Sequence, residues 1–398
     1  MVTLNHNQFR EVGPSAAKSN LVIIGGVCAL SLAMGFSRFG FTPIIPLMQR
    51  DLSVSSWEIA LMASANYLGY MVGAYASRQA FVRSNLRAGL GFGIPATVLL
   101  LAAMSLTLEP LLWHLFRFLS GFLSAVLFVV ASSVALGQDR SDRAGFLYSG
   151  VGIGIALTGM LVPLFDSLGD WRMSWQGLAL FGSLLGAFAW FALSGAAAAE
   201  VRLQPPSLKN MLFNRNRKWY ALLAAYGIEG IGYIITATFI VQIIKATPAI
   251  SHVANQSWVL IGLAAAPSTL LWSRAARAAT IRTALMFAFG LQALGILLTV
   301  MLPNEFTTLL GAVLFGGTFM GITSLTITLA NRMKPGQQLQ AIGELTAVYA
   351  LGQVLGPMAA AYLQKHYDNL APSYFAALIL ILALCMLKVL DKEDEGAT

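Results

Sequence analysis

The chain has 398 residues, of which 57% are hydrophobic and only 11% are charged, and its mean hydropathy is +0.71. A soluble globular domain carries about 25% charged residues, so the composition excludes a soluble protein and predicts a polytopic membrane protein. Lys and Arg outnumber Asp and Glu by 25 to 17. In a membrane protein this excess reports topology, and we therefore expect no nucleic-acid partner.

Twelve apolar stretches follow one another along the chain, separated by short polar breaks. Each is long enough to cross a bilayer as a helix, whereas a barrel strand needs only ~9 to 11 residues. We predict an all-α membrane protein with twelve transmembrane helices. The predicted spans are 21–49, 56–80, 88–108, 111–136, 144–165, 174–194, 219–244, 257–273, 283–302, 307–331, 341–364 and 372–390.

The basic residues are distributed unevenly between the two sides of these spans. With the N-terminus inside, nineteen of the 25 Lys and Arg residues lie in cytoplasmic segments or at cytoplasmic span ends. Because cytoplasmic segments are enriched in Lys and Arg, this bias predicts that both termini lie in the cytoplasm.

The chain divides into two halves that repeat. The longest polar break, 195–218, contains two prolines and a basic run, and six predicted spans lie on each side of it. This predicts a six-helix bundle at 1–194, a cytoplasmic linker at 195–218 and a second six-helix bundle at 219–398. Features recur across the break at offsets of 192 to 196 residues: Gly35 as Gly227, Gly40-Phe41 as Gly232-Tyr233, Ser77-Arg78 as Ser273-Arg274, and Pro163 as Pro357.

Several stretches carry a resemblance to a known family. They are Gly73-Ala-Tyr-Ala-Ser-Arg78 followed by Arg83 and Arg87, Arg117-Phe-Leu-Ser-Gly121, and Gly150, Gly152, Gly154, Gly159 and Pro163 with their counterpart Gly352-Gln-Val-Leu-Gly-Pro357. In these motifs the chain resembles the major facilitator superfamily over roughly residues 20–390. The resemblance implies secondary transport by two pseudo-symmetric six-helix bundles, with a cytoplasmic latch.

In that latch, Gly73 would pack helices closely, and Arg78 and Arg83 would make charge contacts, while Ser77 stands where the family usually has Asp. More narrowly, the chain is similar to the bacterial YbfB/YjiJ-like subgroup, which implies the inner membrane and names no substrate. That similarity lies in Ser37-Arg-Phe-Gly-Phe-Thr-Pro-Ile-Ile-Pro46, Ala63-Ser-Ala-Asn-Tyr-Leu-Gly-Tyr70 and Gly150-Val-Gly-Ile-Gly-Ile-Ala156.

Two arginines fall well inside the predicted spans. A charge at the bilayer centre costs at least ~2.5 to 3.5 kcal/mol on insertion scales, so each needs a specific environment. Arg38 lies about 18 Å of helix from Arg50, and we predict that it either faces a substrate cavity or caps carbonyls at the bend expected from Pro43 and Pro46. Arg117 has two similar interpretations: contact with substrate, or a role in packing and coupling.

Two acidic residues also fall inside spans. Glu229 shares a helix face with Tyr226 and Tyr233, and it is our candidate for proton coupling because a cavity carboxyl can bind and release a proton as a neighbouring Arg moves. A transient pair with Arg38 would serve such a switch, and a permanent buried salt bridge is the alternative. Glu344 lies near the start of its span, where we predict a latch contact with a cytoplasmic Arg.

Neutral polar residues complete the predicted binding path. Asn66 and Tyr70 share one face of the second span, and Tyr349 and Gln353 share one face of the eleventh. Such groups can line a substrate path, and each can equally be a hydrogen bond between helices.

Two Arg against one mid-membrane Glu favour an anionic solute, because Arg does not lose its proton. We therefore predict a monomeric secondary transporter in the lipid bilayer that moves a small organic anion with protons and uses no cofactor or metal. Proton-coupled export of a drug or amphipathic cation is the alternative within transport, and a solute receptor that does not transport is the alternative outside it. The four His lie outside the span interiors except His114 near an edge, and no phosphate-binding loop occurs, so we expect no enzyme and no ATPase.

Overall fold

The structure is a computed structural model, and it describes residues 16–77, 85–137, 143–199 and 217–390. Within these ranges the chain is helical and forms no strand, which confirms the all-α prediction. The helices are α1 (Ala16–Leu30), a π-helical segment (Ser31–Phe39), α2 (Phe41–Leu52), α3 (Ser56–Ala76), α4 (Leu86–Ala103), α5 (Pro110–Leu136), α6 (Ala144–Asp166), α7 (Trp171–Ala199), α8 (Arg217–Ala246), a 3-10 turn (Pro248–Val253), α9 (Ala254–Ala278), α10 (Ile281–Met301), α11 (Glu305–Met333), α12 (Gln338–His366) and α13 (Ala371–Leu387).

Every predicted span has a helix at its position. In the part of the chain that the structure describes, nine helical stretches are long and apolar enough to cross a membrane, and α13 is a shorter apolar helix. The two other helices, α3 and α12, carry several of the polar residues that face the centre of the bundle, which lowers their hydropathy. The total of twelve crossings remains a prediction.

Consecutive helices are joined at two opposite faces of the bundle. At one, which we call the α2–α3 face, Arg50 forms ion pairs with Asp51 and Asp166 at 2.6 and 2.7 Å. At the other, which we call the termini face, α1 begins and α13 ends, and Arg143 donates a hydrogen bond to Asn20 at 2.6 Å.

Glycines set the closest helix contacts. A Cβ atom at Gly69 would overlap the Phe118 carbonyl, and one at Gly73 would overlap the Phe122 carbonyl, so α3 and α5 touch backbone to backbone. Gly73 therefore packs α3 closely on α5, and the Ser77 hydroxyl donates back to the Gly73 carbonyl at 2.7 Å, while the role of Gly73 in a latch remains a prediction. Arg78 and Arg83, the other predicted latch residues, lie outside the described residues.

The two Gly-rich stretches make matching contacts. On α6, a Cβ at Gly154 would lie 2.7 Å from the Ser31 carbonyl oxygen of the first span. On α12, a Cβ at Gly352 would overlap the Gly227 carbonyl of α8. Close approach is thus present in both stretches, as their composition predicts.

Three helix pairs make the most extensive contacts between α1–α7 and α8–α13 within the described ranges: α2 with α8, α3 with α12, and α6 with α9. Each pair carries a hydrogen bond: Thr42 Oγ1 to the Ala237 carbonyl at 2.7 Å, Ser64 Oγ to the Val354 carbonyl at 2.7 Å, and Trp258 Nε1 to Thr158 Oγ1 at 3.1 Å. The first of these lies on the α2–α3 side of the bundle, where Gln242 also donates to Ser56 at 3.3 Å.

Candidate functional site

Arg38 lies at the end of the π-helical segment, at the boundary between the two sets of helices. Its side chain is buried, with the residue only 3% exposed, and Nη2 donates a hydrogen bond to Gln353 Oε1 on α12 at 2.7 Å. The guanidinium also lies over the Tyr70 ring at 4.1 Å and the Tyr67 ring at 5.0 Å. Arg38, Tyr70 and Gln353, three of the predicted binding residues, are therefore brought together.

Arg117 has a different environment. Its Nη1 and Nη2 donate to the backbone carbonyls of Ser37 and Arg38 at 2.9 and 3.2 Å, and the guanidinium lies 4.6 Å from the centre of the Phe41 ring. Asn66 in turn donates to the Arg117 carbonyl at 2.9 Å. The carbonyl cap at the bend, which we considered for Arg38, is made by Arg117.

The bend explains why these carbonyls need a donor. The first span changes from α- to π-helical and back between Leu30 and Phe41. In a π-helix each carbonyl pairs with the N–H five residues on, and for Arg38 that residue is Pro43, which has none. The Arg117 guanidinium supplies donors at this point. Arg117 and Asn66 thus support the backbone that carries Arg38, and contact of either residue with substrate remains a prediction.

Glu229 lies fully buried on α8. Its Oε1 accepts a hydrogen bond from Gln292 Nε2 on α10 at 3.4 Å, and Tyr349 on α12 is its other polar neighbour. Among the described residues no carboxylate lies within ion-pair distance of Arg38. The Arg38–Glu229 pair that we considered from the sequence is therefore not formed in this conformation, because each charge contacts a side-chain amide instead.

A cluster of nearly parallel rings lies between these two amide contacts. Tyr226 stacks on Tyr349 with ring centres 4.4 Å apart, and Tyr233 stacks on Phe319 at 5.2 Å and on Tyr349 at 6.1 Å. Arg38 and Glu229 both lie within electrostatic range of Tyr233 and Tyr349. Helices α8, α11 and α12 therefore assemble an aromatic cluster, defined as Tyr226, Tyr233, Phe315, Phe319 and Tyr349, and two of its tyrosines neighbour both the buried cation and the buried acid.

Glu344 lies apart from this centre, near the termini face. Its carboxylate accepts hydrogen bonds from Trp219 at 2.7 Å and Gln340 at 2.8 Å, and it pairs with Lys334 at 3.4 Å. We expected an Arg as its partner. The observed partner is Lys334 because α11 ends beside the start of α12 and places that lysine over the Trp219 ring at 4.0 Å.

Sequence reasoning missed two polar partners of the site. Gln292 is the residue that touches Glu229, and Tyr67 shares a hydrogen bond of 3.0 Å with Thr238 across the two sets of helices. Gln292 had a usable signal, since it is the only amide in the apolar stretch 283–302. Tyr67 had none, since it is one of three tyrosines in its span and nothing in the pattern distinguishes it.

Comparison with known proteins gives the family. The family model described as "Uncharacterised MFS-type transporter YbfB", where MFS is the major facilitator superfamily, matches residues 30–388. The chain belongs to this family. As a member of the YbfB-type transporters it is a multi-pass membrane protein of a transporter family rather than an enzyme.

More distant similarities agree. The uncharacterized transporter YgaY of Escherichia coli, from strain K12 and from O157:H7, is 25% identical over 200 residues, which are 47% of this chain and 49% of each relative. The chain thus spans about half the length of the curated relatives it matches.

Two solved structures share the fold. A point mutant of the nucleoside transporter NupG has a TM-score of 0.70 at 12% identity, and the match covers 94% of this chain and 99% of that one. A bacterial homolog of the human lysosomal transporter Spinster, inward-facing and unoccupied, has a TM-score of 0.66 at 12% identity, and the match covers 94% and 96%. At this identity the likeness establishes the major facilitator superfamily fold alone.

Proposed function

We propose that this YbfB-type protein is a secondary transporter that moves a small organic anion together with protons by alternating access. One observation carries the proposal. Arg38, a buried arginine of the first helix set (α1–α7), donates a hydrogen bond of 2.7 Å to Gln353 of the second helix set (α8–α13). A substrate at that point would contact both sets at once. Intramembrane charges that face a bundle interior mark substrate or ion pathways in membrane proteins.

The moving parts in this proposal are the bundles 1–194 and 219–398, joined by the cytoplasmic linker 195–218. Rocking would exchange contacts at the α2–α3 face, where neutral hydrogen bonds such as Thr42 to Ala237 and Gln242 to Ser56 join the two sets. Neutral hydrogen bonds contribute about 0.5 to 1.5 kcal/mol each, so a few of them can be broken and remade within a transport cycle. We place the protein in the bacterial inner membrane as a monomer with both termini in the cytoplasm.

The charge of the substrate follows from the state of Arg38. Its guanidinium is a cation, yet Gln353 and aromatic rings are its contacts, and the buried Nε has no hydrogen-bond partner among the described residues. A carboxylate or sulfonate can accept two parallel hydrogen bonds from a guanidinium, and this pair is stronger than the single hydrogen bond that an amide oxygen accepts. An organic anion would therefore displace Gln353. Arg117 adds positive charge nearby, but both of its Nη groups already donate to carbonyls.

The body of the substrate would meet the aromatic cluster. Tyr349 lies one helical turn before Gln353, so a ligand bound to Arg38 lies beside the stacked rings of Tyr349, Tyr226 and Tyr233. Flat faces stack on such rings in offset arrangements worth about 0.5 to 1.5 kcal/mol beyond area burial. A small anion with a planar ring fits this arrangement better than a saturated one.

The aromatic cluster and Glu229 also support the second candidate, export of an amphipathic cation. Rings attract cations through their faces, and Glu229 would supply the opposite charge. Arg38 works against this candidate because its charge is buried within electrostatic range of Tyr233 and Tyr349 in the same cluster.

Binding to the purified full-length protein separates these candidates. Thermal stability is measured with benzenesulfonate, cyclohexanesulfonate and tetraphenylphosphonium, because the two sulfonates stay ionised and differ only in ring flatness. Stabilisation in the order benzenesulfonate above cyclohexanesulfonate, lost in Arg38→Gln, supports the proposal. Stabilisation by tetraphenylphosphonium alone overturns the anion assignment in favour of cation export.

Transport itself is tested in liposomes. Uptake of labelled benzenesulfonate into proteoliposomes, accompanied by proton movement reported by an internal pH dye, is the expected result. Binding without uptake in either direction of the imposed gradient would make the protein a receptor. Uptake without proton movement would remove the proton from the mechanism.

A further inference from the structure

We infer that Glu229 and Gln292 form a single proton-binding site. When Glu229 is protonated, its carboxyl O–H donates a hydrogen bond to the amide oxygen of Gln292, which holds the proton in place. The inference rests on the proposed proton coupling and adds a residue and a geometry to it. Both residues are fully buried, on α8 and α10. Both helices belong to the second helix set, so the site does not depend on contact between the sets.

The hydrogen bonds of the pair are incomplete. Gln292 Nε2 donates to Glu229 Oε1 at 3.4 Å, while Glu229 Oε2 and Gln292 Oε1 are buried acceptors that receive no hydrogen bond of ordinary geometry from the described part of the chain. A buried polar atom left unsatisfied costs roughly 1 to 3 kcal/mol. Two such acceptors on two side chains already in contact indicate that a donor is missing between them.

One proton supplies that donor. When water delivers a proton to Glu229 Oε2, an O–H bond forms and can donate to Gln292 Oε1, while Nε2 continues to donate to Oε1. The acid and the amide are then joined by two antiparallel hydrogen bonds, and both acceptors are satisfied. Release breaks the O–H bond and returns the proton to water. The result is unchanged if the amide is flipped, because its oxygen would then face Oε1 and again require a proton between them.

Few ionisable groups among the described residues lie close enough to Glu229 to exchange a proton with it or to change its charge. Tyr226 and Tyr233 on α8 and Tyr349 on α12 are the ionisable side chains in electrostatic contact with Glu229. Tyr349 is the one competing hydrogen-bond donor beside the carboxyl. Arg38 shares the electrostatic neighbours Tyr233 and Tyr349 with Glu229. An anion held at Arg38 would thus repel an ionised Glu229 across the aromatic cluster and favour its protonated form, which couples the two ligands.

Infrared difference spectroscopy of the full-length protein in lipid tests this directly, because a protonated carboxyl has its own carbonyl band. We expect a band that titrates with pH, is absent in Glu229→Gln, and shifts to higher wavenumber in Gln292→Leu and Gln292→Met, which remove the amide but keep the bulk. Gln242→Leu is the matched control, since Gln242 lies near the end of α8 and bonds to Ser56 instead. It should leave the band in place.

Three outcomes overturn the inference. They are a band that Gln292→Leu does not move, a band that Tyr349→Phe moves instead, and a spectrum that responds to sodium at constant pH rather than to protons. Failure of the proposed function is distinguishable from these. A titrating Glu229 band that depends on Gln292, in a protein that moves no protons in liposomes, would leave the site standing and remove the coupling.

Discussion

Arg117 donates a hydrogen bond to the backbone carbonyl of Arg38 at 3.2 Å, so one buried arginine fixes the backbone that carries the other. The two guanidinium groups have separate tasks as a result. Arg117 has both Nη groups on carbonyls of the bend, whereas Arg38 has its Nη2 on a side chain of the opposite helix set. Substituting each arginine in turn should therefore give different defects.

Arg117→Leu should lower the melting temperature of the purified protein by several degrees. The change leaves the carbonyls of Ser37 and Arg38 without their donors, at roughly 1 to 3 kcal/mol per buried group. Arg172→Leu is the control, because that side chain is 40% exposed and its loss should change little. Equal melting temperatures for Arg117→Leu and the wild type would show that the bend does not need this cap.

Arg38→Lys should weaken benzenesulfonate binding at least tenfold, and Arg38→Gln should abolish it. Lysine keeps the charge but lacks the planar fork that binds both oxygens of an anion. Titration calorimetry on the purified variants gives the affinities. Wild-type affinity in Arg38→Gln would remove Arg38 from the binding site.

Gly69→Ala should destabilise the protein and Gly290→Ala should not. A methyl at Gly69 overlaps the Phe118 carbonyl and must push α3 from α5, an overpacking cost of about 1 to 3 kcal/mol. At Gly290 a methyl meets nothing within 4 Å, and alanine is the better helix former by about 0.5 to 1 kcal/mol. Thermal melts of the two variants in one detergent compare them, and an equal loss in both would refute the backbone-contact account.

Glu344→Gln should cost little stability and leave substrate binding intact. The amide oxygen can still accept from Trp219, and what is lost is a pair with Lys334 at the partly exposed edge of the bundle, a contact of about 0 to 1 kcal/mol. Melting temperature and benzenesulfonate affinity are the two measurements. A large fall in affinity would move Glu344 from the termini face into the binding pathway.

Reporter fusions test the orientation. Green fluorescent protein fused after Thr398 should fluoresce, and alkaline phosphatase fused there should be inactive, because the excess of Lys and Arg places the termini face in the cytoplasm. Alkaline phosphatase fused after Asn304, in the connection at the α2–α3 face, should be active. The opposite pair of activities would show that the termini face lies outside the cytoplasm.

The sequence was sufficient to predict the fold, because helix length, hydropathy and the repeated glycines are local properties. It was also sufficient to single out Arg38, Arg117 and Glu229, since a charge in an apolar span is visible in one dimension. Their partners were not predictable. Which arginine caps the bend depends on where the first span turns π-helical, and the hydropathy pattern does not predict that position.

Partners from distant parts of the chain were equally hidden. Gln353 and Gln292 are neutral amides, and burying a neutral amide in a membrane costs too little for its position in the sequence to reveal its partner. Only the packing of the helices brings Gln353 to Arg38 and Gln292 to Glu229. The Arg38–Glu229 pair was a reasonable expectation from charge alone. In this conformation each of the two charged residues contacts a side-chain amide instead.

The sequence separation of 315 between Arg38 and Gln353 also bears on how the protein is made. At a synthesis rate of about 5 to 20 residues per second, roughly 15 to 60 s pass between the two codons. During that interval the arginine is already in the first span, and its backbone cap on α5 arrives early, but its side-chain partner on α12 does not yet exist. The nascent N-terminal segment must therefore keep this cation hydrated, or sheltered by the insertion machinery, until translation is nearly finished.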